Sequence, residues 1–175
     1  MRNKILIGSA IAALAMIVAG GAAIAGPASN SGASALPATC GPLFYQGSGT
    51  PQFTIVSDLP LQGAGRAQNL LMGQAIRYVL STQYKFKAGK YTVGYQECDD
   101  STAQAGRYDP AICSSNGRAY ASNKQVIGVL GTFNSGCSKL MVPILNRAPG
   151  GRVGMISSAN TAVGLTNIVM NWTYH

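Results

Sequence analysis

The run Val126-Ile127-Gly128-Val129-Leu130 carries no polar side chain on either face. A strand apolar on both faces has to be covered on both, which is the situation of a parallel strand between two layers of helix. The rest of the chain supplies such layers. Phe53-Thr54-Ile55-Val56-Ser57-Asp58 is rich in β-branched and aromatic residues, and predicts a first strand at 53–58. It runs into Leu59-Pro60-Leu61-Gln62-Gly63-Ala64-Gly65, a loop marked by Pro and Gly. Over 67–82, Leu71, Ala75 and Val79, with Met72, Ile76 and Leu80, recur at four-residue steps and predict one apolar helix face. A second strand is expected at 91–96, a helix around 115–123, the apolar strand at 126–130 and a helix at 137–147. That last helix presents Leu140, Ile144 and Ala148, and is short or kinked at Pro143. Val153-Gly154-Met155-Ile156-Ser157 closes the series as a fourth strand. The order β-α-β-α-β-α-β predicts an α/β fold with a doubly wound parallel sheet and right-handed crossovers.

In such sheets ligands sit at the carboxyl ends of the strands, near the point where strand order reverses. Three predicted carboxyl ends carry small, polar or Gly-rich turns: 62–66, 134–138 and 157–161. The chemistry open to them is limited. Gly63-Ala64-Gly65 lacks the third glycine of a dinucleotide turn, since position 68 is Gln68. There is no Gly-Lys-Ser/Thr phosphate loop, and Ser135 stands in Asn134-Ser135-Gly136 rather than in a nucleophile elbow. The lone histidine is His175, which leaves no internal base for a Ser-His or Cys-His mechanism and no His-rich metal site. Asp99-Asp100 reads as a solvated turn at a strand end rather than a coordination shell. No enzyme and no cofactor are expected.

The termini and cysteines speak to compartment. Arg2 and Lys4 precede an uncharged apolar run ending in Ala23-Ile24-Ala25, so residues 1–25 read as a signal peptide, with a membrane-anchoring helix as the alternative, and the protein as exported. Residues 26–52 read as a flexible linker, the part to residue 39 being rich in Ser, Ala, Gly and Pro. All four cysteines, Cys40, Cys98, Cys113 and Cys137, lie beyond the signal, and no C-x-x-C occurs. Outside the cytoplasm that predicts disulfides, with Cys98 bonded to Cys113 or to Cys137. The 13 Lys and Arg exceed 5 Asp and Glu, yet only Lys85, Lys87 and Lys90 cluster, so no nucleic-acid partner is expected.

Several segments in this order carry a resemblance: Ser57-Asp58-Leu59-Pro60-Leu61-Gln62-Gly63, Cys98-Asp99-Asp100-Ser101, residues 126–136, Asn146-Arg147-Ala148-Pro149-Gly150-Gly151 and Ser158-Ala159-Asn160-Thr161. Together they resemble the N-terminal part of type I periplasmic binding proteins. The group is that of the branched-chain amino acid (leucine/isoleucine/valine) solute receptors of ABC transporters. The resemblance covers 53–166 and implies the N-terminal lobe alone, incomplete, with 167–175 an atypical tail. It implies a lobe that grips an amino acid or similar small solute for a membrane permease, in the periplasm or cell-envelope exterior of a bacterium. Ser135, with Gly136 beside it, falls at the carboxylate-binding turn. Ala159, through its carbonyl, and Thr161 fall at the ammonium-binding turn. Arg66 falls near a position where the family places an aromatic residue, and an Arg there favours an acidic or otherwise altered solute. The family's disulfide implies Cys98–Cys137. A sensing domain of the same fold, or a gene fragment without function, are the alternative readings.

Overall fold

The computed structural model of the protein describes residues 35–166. The predicted signal, the first part of the predicted linker and the tail 167–175 lie outside the described residues. Strands β1 (Phe53–Leu59), β3 (Tyr91–Asp99), β4 (Val126–Gly131) and β5 (Gly154–Ile156) run parallel, and a two-residue strand β2 (Lys87–Ala88) pairs antiparallel with β3. The sheet order is β2-β3-β1-β4-β5. From β1 the chain steps to β3 on one side, then crosses back to β4 on the other. The strand order therefore reverses at β1, and its carboxyl end lies beside that of β4, with Asp58 opposite Gly131. Helices α1 (Arg66–Thr82), α2 (Pro110–Ser122) and α3 (Ser135–Asn146) make the crossovers. The doubly wound parallel sheet is as expected, with β2 a short addition where a basic loop was read.

Alternation along β1 sorts its side chains between two layers. Val56 belongs to a core shared with Tyr120 and Cys113 of α2 and with Cys137, Met141 and Leu145 of α3. On the opposite face lies α1. Its contact with the sheet differs from the predicted apolar face. Asn69 and Gly73 are its buried residues, while Leu71 is 65% exposed. Gly73 lies so close to the Glu97 carboxylate that a side chain there would collide with it. One turn on, Arg77 pairs with Glu97 at 3.2 Å and lies over the Tyr95 ring. The helix thus leans on β3 through a glycine and an ion pair. Met72, Ala75 and Ile76 are left lining a cavity of ≈ 320 Å³ with Leu59, Leu130 and Ile156.

Two other helices depart from expectation. Helix α2 starts at Pro110, earlier than the expected 115. The Asp109 carboxylate caps it, accepting from the backbone N–H of Ala111 (2.8 Å) and Ile112 (3.0 Å), and Pro110 occupies the first turn, where its missing N–H costs nothing. Helix α3 runs through Pro143 without a break. Its buried stripe is Cys137, Met141 and Leu145, whereas Leu140 is partly exposed. The disulfide to α2 and the approach of Met141 to Gly117 set that rotation.

Part of the predicted linker is structured. Residues 39–44 run antiparallel along the outer edge of β3, bridging Cys40 to Cys98 and Phe44 to Tyr95. Four backbone hydrogen bonds of 2.7–3.0 Å, among them Gly41 N–H to the Glu97 carbonyl and Asp99 N–H to the Thr39 carbonyl, satisfy an edge that β2 leaves open. This pairing also decides the cysteines. Cys98 bonds Cys40 (Cα–Cα 3.8 Å), and Cys113 bonds Cys137 (Cα–Cα 5.5 Å). Neither predicted partner of Cys98 is correct. The segment at residue 40 occupies the edge beside Cys98, and the first turns of α2 and α3 bring Cys113 and Cys137 together.

Non-reducing peptide mapping of the expressed protein is expected to recover 40–98 and 113–137 links; a 98–137 link would contradict this arrangement. The Cys40→Ser/Cys98→Ser double variant, by freeing a long loop in the unfolded chain, is expected to lose ~3 kcal/mol in denaturant unfolding.

Candidate functional site

Two turns meet at the carboxyl ends of β4 and β5. The first, 132–135, leads into α3. Thr132 is buried, its hydroxyl donating to the Asn134 carbonyl (2.8 Å) and lying 2.9 Å from the Ser138 hydroxyl. The second turn, 157–162, leaves β5. Ser157 stitches the two: its hydroxyl donates to the Thr132 carbonyl (2.7 Å) and accepts from the N–H groups of Ala159 and Asn160, each at 3.2 Å. The Asn160 amide donates to the Ser138 hydroxyl at 2.5 Å. Short polar side chains suit this place, since they supply turns with the hydrogen bonds that strand ladders no longer provide.

The structure brings Ser135 and Thr161 together. Ser135 is the first residue of α3, and its hydroxyl oxygen accepts from the N–H of Thr161 (3.1 Å) and of Ala162 (3.2 Å). Among the described residues its hydroxyl proton has no acceptor. The N–H groups of Ser135 and Gly136 belong to the first helical turn, where an α-helix offers no carbonyl of its own. Gly136 packs against the Tyr108 hydroxyl so closely that a Cβ would collide with it. Ala159 sits in the second turn with its N–H engaged by Ser157. Arg66 opens α1 at the end of the loop following β1 and is exposed. Among the described residues its guanidinium has no ion-pair partner, and it touches neither turn through a hydrogen bond.

Two residues that the sequence reading passed over stand in the same turns. The side-chain carbonyl oxygens of Asn134 and Asn160 are buried and have no hydrogen-bond partner among the described residues. Their positions were legible, one beside Ser135 and one beside Thr161; their unpaired acceptors were not, because these depend on how the turns dock. The ≈ 320 Å³ cavity reaches this end of the sheet through Gly131 and Ser158, but none of Ser135, Gly136, Ala159 or Thr161 lines it.

The loop after β1 is anchored by the turn after β3. Asp99 Oδ1 accepts from the N–H of Leu61 (2.9 Å) and Ser101 (2.8 Å), and Oδ2 from the Gln62 side-chain amide (2.8 Å). The Ser101 hydroxyl accepts from Gln62 N–H at 3.0 Å. Asp99-Asp100 is therefore no solvated pair: Asp99 is half-buried and bonded, and Asp100 is fully buried. A carboxylate oxygen of Asp100 lies within 4.8 Å of the sulfurs of Cys113 and Cys137, but both sulfurs are committed to a disulfide and offer no metal ligand.

Neither a protein-family model nor a curated protein matches the sequence. The fold matches solved structures. One, from Rhodospirillum rubrum and described as a branched-chain amino acid ABC transporter protein, is 22% identical with a TM-score of 0.52 over 63% of this chain. LivJ from Streptococcus pneumoniae, a branched-chain amino acid substrate-binding protein solved with isoleucine, is 16% identical with a TM-score of 0.53 over 65%. LivK from Thermotoga maritima, a leucine-binding protein, is 17% identical with a TM-score of 0.52 over 63%. The chain spans about 30% of the length of these structures. The architecture is thus that of part of one lobe of a type I periplasmic binding protein, as the resemblance implied. Among the described residues no helix is long and apolar enough to cross a membrane.

Ser157→Ala removes one donor and one acceptor from the joint between the turns. It is expected to cost about 1–2 kcal/mol and to speed amide exchange at Ala159 and Asn160 relative to the α2 amides. Unchanged exchange there would mean that the second turn is held by other contacts.

Proposed function

We propose that this chain supplies part of the solute-binding lobe of an exported receptor, one that takes up an amino acid or similar small solute and hands it to an ABC-transporter permease. The observation that carries the reading is the docking of the 132–135 turn and the start of α3 against the 157–162 turn next to the strand-order reversal, where open α/β sheets bind ligands. The two turns offer opposite chemistries. At the start of α3, the N–H groups of Ser135 and Gly136 and the Ser135 hydroxyl proton are donors suited to a carboxylate, reinforced by the positive end of the helix dipole. Across from it, the Ala159 carbonyl and the Thr161 hydroxyl oxygen are acceptors suited to an ammonium group. A zwitterion matches both. Arg66, exposed and without an anionic partner among the described residues, stands at the same end of the sheet and would favour a solute with a further acidic group. The fold supports the same reading, since LivJ was solved with isoleucine. The cleavable signal read from residues 1–25 and the two disulfides support an extracytoplasmic site of action.

An amide NMR titration of the expressed chain with the amino acids at millimolar concentration tests this. Shifts confined to 134–137 and 158–162 are expected for at least one of them, and Ser135→Ala should weaken that response about tenfold, the loss of a charge-assisted hydrogen bond. If no amino acid moves these amides, that solute class is wrong.

A further inference from the structure

Two carboxyl groups lie near each other in the interior, with no cation beside them among the described residues. Asp58, next to last in β1, faces α2 and is fully buried. Its Oδ2 accepts from the Asn116 amide (2.9 Å) and from the Tyr120 hydroxyl, and its Oδ1 lies 3.9 Å from the Cys137 sulfur. Asp100, just after β3, is 0% exposed, and neither of its oxygens has a hydrogen-bond donor among the described residues. Asp58 Oδ1 and a carboxyl oxygen of Asp100 both approach the Cys137 sulfur, at 3.9 Å and within 4.8 Å, and the Asp100 N–H donates to the carbonyl of Leu59, next to Asp58 (3.2 Å), so the two carboxyls are neighbours in the interior. The groups facing them are Asp99 from the end of β3, Asn116, Tyr120 and Cys113 from α2, and Cys137 from α3. None is positive. The basic residues of the nearby segments, Arg107, Arg118 and Lys139, are exposed, and Arg77 is spent on Glu97 on the opposite face of the sheet.

Two adjacent buried anions with no cation are not sustainable, because each desolvated charge costs several kcal/mol before their mutual repulsion is added. A metal ion is a poor remedy. The sulfurs are oxidised, Asp58 Oδ2 already takes two donors, and the remaining carboxyl oxygens fall short of the six or more that a hard cation takes. A proton needs only the two carboxyls. We propose that Asp100 retains its proton at neutral pH and donates it to the Asp58 carboxylate, so that a shared proton fastens the end of β3 to β1. Asp100 then has a donor's role, and Asp58 gains a third donor alongside Asn116 and Tyr120.

The electrostatics run the same way. Burial pushes Asp58 up to about 6 and Asp100 up to about 9, the latter raised further by the neighbouring Asp58 charge. Burial and Asp58 also hold Tyr120 well above its ordinary value, so it remains a donor. Both carboxyls titrate higher in the folded chain than the 3.8 of a free side chain. The folded state therefore binds more protons than the unfolded one between these limits. The stabilisation is complete below about pH 4, declines as pH rises through about 6, and is gone above about 9. Since Asp99 and Ser101 flank Asp100 and grip Leu61 and Gln62, loss of the proton loosens the loop after β1 as well.

The test is denaturant unfolding of the wild-type chain and of Asp100→Asn from pH 5 to pH 9.5. The wild-type unfolding constant is expected to rise more than ~tenfold between pH 7 and 9.5, since a shift of each pKa unit is worth a factor of ten. Asp100→Asn, which keeps a donor toward Asp58 but cannot ionise, should flatten that segment and overtake the wild type at the alkaline end. An equal slope in both proteins overturns the proposal. Should the variant not fold, the side-chain carbon resonance of Asp100 in the wild type decides. It should stay at its protonated position at pH 7 and move only in the alkaline range. Titration of Asp100 in the ordinary carboxylate range would sink the idea.

Discussion

Backbone pairing of β1 with strands on both of its sides is the constraint from which the rest of the lobe follows. Phe53 to Leu59 is laddered to β3 along its whole length and to β4 over most of it. A parallel strand so placed cannot continue into a neighbour by a tight turn; every connection must cross a face of the sheet as a helix. Because the chain visits β3 first and β4 second, α1 takes one face while α2 and α3 take the other. The same sequence of visits puts the ends of β1, β4 and β5 in a row. The start of α3 and the turn after β5 meet there, and only there can Ser135 reach the N–H groups of Thr161 and Ala162.

The two faces are stabilised differently. The α2/α3 face holds an apolar cluster pinned by the Cys113–Cys137 disulfide, yet it also encloses Asp58, Asn116 and Asp100. The α1 face is thinner. Its contacts are Gly73 against Glu97, the Arg77–Glu97 pair, and the Ser57–Tyr95 hydroxyl contact of 2.6 Å, which serves as a buried polar brace between β1 and β3. Burial pushes the Tyr95 phenol up to about 12, so that brace stays neutral throughout the physiological range. Beyond α1, Leu130 and Ile156 face an open apolar cavity, and Ile156 is 73% exposed.

How far the residues could be read depended on range. The strands were legible because β-branched runs such as Thr54-Ile55-Val56 and Val126-Ile127 state their preference locally. The start of α2 was also legible in principle, through Asp109-Pro110, since an Asp cap followed by Pro in the first turn marks a helix start. The buried stripes of α1 and α3 were displaced, because Gly73 approaches Glu97 without any hydrophobic signal of its own, and because the Cys113–Cys137 disulfide and the approach of Met141 to Gly117 set the buried face of α3. The role of residues 39–44 was hidden for another reason. A segment rich in Pro, Gly and Ala reads as a linker unless an unsatisfied strand edge lies beside it, and β3 presents one.

By itself the sequence determined the alternation of strands and helices, the parallel sheet and the small polar turns at 134–138 and 157–161, all of which rest on local propensity and short spacings; within those turns Ser135, Gly136, Ala159 and Thr161 were singled out by the family resemblance. Tertiary structure alone decided which cysteines pair, that Asp58 and Asp100 share one interior, and that Asn134 and Asn160 keep unpaired acceptors beside the turns. These are contacts between residues 24 to 58 positions apart, or properties of the surface left once such contacts have formed. No local pattern encodes them, since they are set by which strand edge is free and which helix face is already occupied.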